Sequence, residues 1–243
     1  MANGFAPTTG YLRRYAVNRP GQPEVIRQTL YDTELYPFAG QQQILLFQRQ
    51  IGAGFTTAIG AAVGTPKTLA DTNMTLAGQL PALLNFVLQS IELRFEPGSS
   101  AAANTFTPAL WSTATDPATL AAAQAGLAAW NDFQQFILSG WLVLRIGNKD
   151  YLTEAPLNRF PPKTRYDLFS AFAADGPITT PAVYKAQVAD LGGRPYFIDP
   201  PISLMSNQNF SVTLNFPSAI PTISTFNGRV SCVLDGFTFR ASQ

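Results

Sequence analysis

Two segments of this chain alternate apolar and polar side chains without interruption, and they constrain the fold more than any other feature. Ile91-Glu-Leu-Arg-Phe-Glu96 sets apolar residues against charged ones, and Phe210-Ser-Val-Thr-Leu-Asn-Phe216 sets them against small polar ones. In a strand, successive side chains point to opposite faces, so each segment gathers its large apolar groups on one side. A strand with one apolar face needs a second layer to cover it. The expected fold is therefore all-β, a sandwich of antiparallel sheets.

Composition adds a second constraint. Hydrophobic residues make up 46% and charged residues only 13%, against about 25% charged in an average soluble protein. A chain so short of charge either hides much of its surface against partners or builds a large core. Eighteen Phe and three Trp suit either reading, because aromatic residues are enriched and Lys and Glu depleted in interface cores. The net charge of +1 provides no global field for nucleic acid. Cys232 is the only cysteine, so no disulfide within the chain is expected, and its place in Val230-Ser-Cys-Val-Leu234 makes it a small buried hydrophobe. No apolar run is long enough for a transmembrane helix.

Along the chain, residues 1–27 read as an N-terminal arm holding Arg13, Arg14, Arg19 and Arg27 against Glu24, with Pro7, Pro20 and Pro23. It lacks the apolar run of a signal peptide. It is either an ordinary tail or an extended arm lying on a neighbour or on something acidic. Tyr11, Arg13, Arg14 and Arg19 are its candidate contact residues, because cations interleaved with aromatics suit phosphate or single strands. Residues 28–243 read as one jelly-roll domain. Strands are expected over Gln28–Tyr36, Gln41–Gln50, Asn85–Glu96, Phe133–Ile146, Lys149–Glu154, Pro195–Ile198, Asn209–Phe216 and Arg229–Arg240. A change of parity at Asp235-Gly236 in the last strand suggests a β-bulge. Ile51–Thr65 is rich in Gly and Ala and uncharged, and reads as a loop or a packed irregular segment, while Ser99–Thr115 reads as a loop. Asp116-Pro117 starts a helical insertion near 116–131, with Leu120, Leu127 and Trp130 on one stripe. A second short helix is expected over Pro181–Leu191. About eight strands with long connections fit a jelly roll better than an immunoglobulin-like sandwich.

The chain has no histidine, which removes Ser-His-Asp and Cys-His constellations and the usual zinc ligands. Gly52-Ala-Gly54 lacks the spacing and the Lys of a phosphate loop. Three carboxylate pairs remain: Asp32 with Glu34, Glu92 with Glu96, and Asp150 with Glu154. Paired carboxylates on a sandwich can cleave glycosides, but Asp32, Glu34, Glu92 and Glu96 sit on the polar faces of amphipathic strands, where solvation explains them. Trp111, Trp130 and Trp141 could build a sugar platform, although Trp130 and Trp141 lie in apolar settings that suit packing. The expectation is a protein without catalytic, metal or cofactor residues.

Beyond these patterns, Tyr31-Asp-Thr-Glu-Leu-Tyr-Pro37 with the Gln-rich apolar strand after it, Leu69-Ala-Asp-Thr-Asn-Met74, Leu76-Ala-Gly-Gln-Leu-Pro81, Ser90-Ile-Glu-Leu-Arg-Phe-Glu-Pro-Gly98 and the closing Val233-Leu-Asp-Gly-Phe237 with Arg240 resemble the major capsid proteins of icosahedral non-tailed bacteriophages. The resemblance spans most of Leu30 to Arg240 as a pattern of strands and turns; the arm and the Ala-rich insertion take no part in it. It implies a jelly-roll coat subunit that forms capsomers and a closed shell. Implied partners are copies of itself, minor capsid or vertex proteins, and an internal membrane or genome met by the arm. The implied location is the virion, after synthesis in the host cytoplasm. Two alternatives stand beside it: a carbohydrate-binding or carbohydrate-cleaving β-sandwich, and a non-enzymatic subunit of another assembly such as a fibre, spike or secreted scaffold.

Overall fold

Hydrogen-bond register decides which alternating segments share a wall, and here the two strictest become strands of facing sheets. The computed structural model describes the backbone of residues 24–56, 62–98, 120–163, 167–174, 183–190 and 193–240. The strands are β1 (Glu24–Arg27), β2 (Leu30–Tyr36), β3 (Gln43–Leu46), β4 (Gly54–Thr56), β5 (Ala62–Pro66), β6 (Leu84–Glu96), β7 (Trp141–Ile146), β8 (Lys149–Glu154), β9 (Asp167–Ala174), β10 (Val183–Asp190), β11 (Tyr196–Leu204), β12 (Phe210–Asn215) and β13 (Gly228–Arg240). Among the described residues an α-helix, α1 (Leu120–Ser139), precedes β7, and a short 3-10 turn spans Leu157–Arg159.

The antiparallel pairs are nested: β2 with β13, β3 with β12, β6 with β11, and β7 with β8. The long hairpin these pairs describe is then rolled up, so that β13 also meets β6 and β12 also meets β7. The result is a five-stranded sheet in the order β1-β13-β6-β11, with β2 beside β13, and a four-stranded sheet in the order β3-β12-β7-β8. This is the jelly-roll order, a sandwich of antiparallel sheets. β1 and β2 follow one another along the same edge of β13, pairing with Phe237–Arg240 and Gly228–Leu234 respectively. The last four residues of the expected arm are thus an edge strand, and residues 1–23 lie outside the described residues.

Alternation places Leu30 and Tyr36 of β2, Ile91, Leu93 and Phe95 of β6 and Val230, Cys232 and Leu234 of β13 on the inner face. Ile44 and Leu46, Leu142, Leu144 and Ile146, and Phe210, Val212 and Leu214 answer them from the other sheet. Cys232 is fully buried, as its setting suggests. The irregularity expected at Asp235-Gly236 is present, but the extra residue lies on the partner strand. Asp235 faces Ser90 and Gly236 faces Leu88, so Gln89 of β6 is the one skipped. β13 therefore keeps its parity: Gly236 and Thr238 continue the inner row, while Phe237 and Phe239 lie half-buried opposite Val87 and Asn85 on the other face. Only glycine fits at 236, since a Cβ there would stand 2.0 Å from the Val87 carbonyl oxygen.

Three other expectations are corrected. Phe133–Ser139 is helix, and only Trp141–Ile146 is strand. Trp130, Phe133 and Phe136 recur at helical spacing and are all buried, which makes a helix the better way to bury them. Asp116, Pro117 and the side chains of Leu120 and Leu127 lie outside the described residues. The helix expected over Pro181–Leu191 is instead β10, paired along its whole length with β9; so short a segment cannot sustain a helix alone, and a neighbouring strand supplies its hydrogen bonds. Finally, the loop expected over Ile51–Thr65 contains the short β4–β5 ribbon.

The helix closes one end of the sandwich. Phe136 stacks on Phe95 with centroids 4.4 Å apart and meets Phe216 at 5.2 Å and Tyr36 edge-on at 5.4 Å. Tyr36 donates its hydroxyl to the Ile220 carbonyl at 2.5 Å, and its burial pushes the phenol up to about 12.

Candidate functional site: buried charges and exposed loops

β2 carries its acids inward. Asp32 pairs with Cys232 and Glu34 with Val230 across the sheet, so both carboxylates share the face of the core. Both are buried, Asp32 at 0% and Glu34 at 1% exposure, and so is Lys67 at 1%. Lys67 follows β5, and its backbone is tied down by bonds from its own N–H to the Ala53 carbonyl and from the Gly52 N–H to its carbonyl. Its ammonium lies 2.8 Å from Asp32 Oδ1 and 2.5 Å from Glu34 Oε1, beneath the Phe55 ring at 5.6 Å. Asp32 Oδ2 accepts the Phe47 backbone N–H at 2.6 Å. Burial pushes the Asp32 carboxyl above its ordinary range, and Lys67 and Phe47 only partly offset that. Burial also pushes the Cys232 thiol well up, with the Asp32 and Glu92 charges adding to it.

The expectation that Asp32 and Glu34 sit on a solvated face is therefore wrong. Strand alternation identified their common face but not its direction. The counter-charge that makes an inward placement tolerable comes from Lys67, distant in sequence. Its signal was faint: a lone cation closing the uncharged stretch from Ile51 to Pro66.

The outer face of the same sheet carries a second set of charges. Asp235 Oδ2 accepts from Arg27 at 2.7 Å and from the Lys163 ammonium at 2.5 Å. Burial alone would raise its carboxyl, but Arg27 and Lys163 together hold it below the ordinary value. Glu92, also buried, accepts the Lys163 backbone N–H at 2.9 Å and lies 3.4 Å from Arg94, whereas Glu96 is exposed. Asp150 is held by exposed Arg145 at 2.6 Å, and Glu154 by Arg159 and the Tyr196 hydroxyl. Of the three carboxylate pairs, only Asp32 and Glu34 converge on one group, and that group is Lys67. On α1, Asp132 is buried and accepts the backbone N–H groups of Ile223 and Ser224 and the Ser224 hydroxyl, which pins the loop before β13.

Large apolar side chains stand exposed at both loop ends. Phe38, after β2, and Ile223, before β13, share one end, where the Thr222 N–H bonds the Phe38 carbonyl. Leu76, Leu83 and Met205 share the other, where the Asn207 N–H bonds the Leu80 carbonyl and the Ser206 N–H the Asn85 side chain. Leu83 is 72% exposed. A polar depression of about 340 Å³ lies at this second end, lined by Gln48, Gln79, Arg145, Asn209 and Ser211. Leu45 and Tyr151 on the four-stranded sheet and Phe197 on β11 are exposed as well.

Tyr11, Arg13, Arg14 and Arg19 lie outside the described residues, as do Trp111 and the loop expected over Ser99–Thr115. Trp130 is buried and stacked on Phe133 at 5.7 Å, so it offers no open ring face for a sugar, and Trp141 is half-buried on β7. Among the described residues, no three acids or cysteines are placed to share a metal ion, and no helix is long and apolar enough to cross a membrane. No family model matches the chain, and neither does any curated protein or solved structure.

Proposed function

We propose that this chain is a structural coat subunit, a jelly-roll major capsid protein that assembles with copies of itself into capsomers and an icosahedral shell. The observation that carries the reading is the distribution of exposed apolar side chains on a rigid, charge-poor sandwich. Phe38 and Ile223 crown one loop end, and Leu76, Leu83 and Met205 the other. Fully burying one such side chain yields about 1.5–3 kcal/mol, and association costs several kcal/mol or more in lost freedom. Any one contact is therefore weak, and several repeated around each subunit in a closed lattice become decisive.

In this reading the two sheets form the wall and the end loops meet neighbours. The arm containing Tyr11, Arg13, Arg14 and Arg19 lies along an adjacent subunit or meets phosphate on the interior side. The resemblance of Leu30 to Arg240 to non-tailed phage coat proteins supports the same conclusion from sequence. The jelly roll alone does not, because the architecture also serves lectins and enzymes.

The test is the particle mass of the purified protein by light scattering, followed by negative-stain microscopy. Trimers, rings or shells are expected. A species of 26.3 kDa at every concentration, with saturable oligosaccharide binding, would establish the carbohydrate reading instead.

A further inference from the structure

We propose that Lys67 and Asp32 condense within the folded sandwich into an intrachain amide bond, with Glu34 carrying the protons. The proposal is independent of the coat-protein reading, since it concerns the interior of one subunit.

The geometry supplies each part of such a reaction. The Lys67 nitrogen lies 2.8 Å from Asp32 Oδ1, which brings it within reach of the carboxyl carbon that bears that oxygen. Glu34 Oε1, 2.5 Å from the same nitrogen, is placed to take an ammonium proton and free the lone pair. The Phe47 N–H, 2.6 Å from Asp32 Oδ2, points at the oxygen that becomes negative when the carboxyl carbon turns tetrahedral, the role of an oxyanion donor. Holding all three in register removes the entropic part of the barrier. The strands fix Asp32 and Glu34, and backbone bonds on both sides fix Lys67.

The environment supplies the driving force. In water an ammonium and a carboxylate are well solvated, which opposes condensation. Here both side chains are 0% exposed, and charges kept from water lose several kcal/mol of solvation each. Condensation replaces one ammonium and one carboxylate by a neutral amide.

The step balances without an oxidant or co-reactant. Lys67 Nζ forms a bond to Asp32 Cγ, and one Cγ–O bond breaks. Two protons leave the ammonium, pass through Glu34 to the departing oxygen, and exit with it as water. Glu34 ends in the charge state in which it began, and one N–H remains on the amide.

Intact-mass spectrometry of the full chain decides the matter. The expected mass is lower than the sequence mass by about 18 Da, one water. Trypsin should fail to cut after Lys67 and should release Gln28–Arg49 joined to Gln50–Arg94 as one species. Lys67→Arg, which keeps the cation but is a far poorer nucleophile, should restore the full mass, and Glu34→Gln should slow or abolish the loss. Full mass in the wild-type protein after prolonged incubation at neutral pH overturns the proposal, whether or not any variant folds. So does a one-water deficit that persists in Lys67→Arg or that maps to a peptide without Lys67.

Discussion

Single side chains decide how the ends and the outer face of this sandwich hold. Phe136 is the wedge, touching the rings of Tyr36, Phe95 and Phe216 at once. Phe136→Ala should therefore cost about 3–5 kcal/mol of stability in urea unfolding; a loss below about 1 kcal/mol would mean the helix end is not packed as described. Asp235 gives a pH signature. Its carboxyl is held below its ordinary value of 3.8 by Arg27 and Lys163, so the native state favours the ionised form. The stability it contributes is full above 3.8 and is lost as pH falls through the lower folded value. The advantage of wild type over Asp235→Asn in thermal midpoint should thus be constant near neutrality and shrink on acidification. An advantage that grows as pH falls would contradict the assigned pairing. Comparing the two proteins cancels the opposite trend from Asp132, whose carboxyl burial raises.

At the scale of elements, loops and arm carry the predictions and the sheets carry the frame. The turn ahead of β6 presents most of the Leu83 side chain to solvent, so Leu83→Glu should leave unfolding unchanged within about 0.5 kcal/mol. The same change should reduce particle yield several-fold in light scattering. Unaltered particles would remove this end from the contact set. Deleting Met1 to Arg19 should likewise leave the sandwich folded by circular dichroism while impairing shell formation, and normal particles from the truncated chain would count against an arm role. These outcomes separate association from folding because β1 begins only at Glu24, after the deleted stretch. The elements themselves were unequally readable. β6, β12 and β13 fell within a residue or two of their patterns, because one face of each is apolar and alternation is then obligatory. α1 was cut short in the sequence reading because Phe133 and Phe136 satisfy a strand's preference for aromatics as well as a helix's spacing. β10 was misread because its pairing partner β9, the strand just before it, had not been read as a strand either.

For the whole molecule, the governing relation is the nested pairing of β2 with β13, β3 with β12, β6 with β11 and β7 with β8. Its consequence is a block whose loops gather at two ends, where a lattice of copies would make contact. Local pattern alone was enough for the all-β sandwich, the inward Cys232 and the site of the β6–β13 irregularity. Each of these follows from local alternation or turn chemistry. Packing of the closed sandwich was needed to show that Asp32 and Glu34 face the core, that Lys67 meets them there, and that Gln89 rather than β13 absorbs the bulge. Alternation tells which residues share a face, but the direction of that face depends on what the rest of the chain packs against it. A buried ion cluster drawn from segments far apart in sequence leaves no periodic trace, because its members come together only when the sheets close.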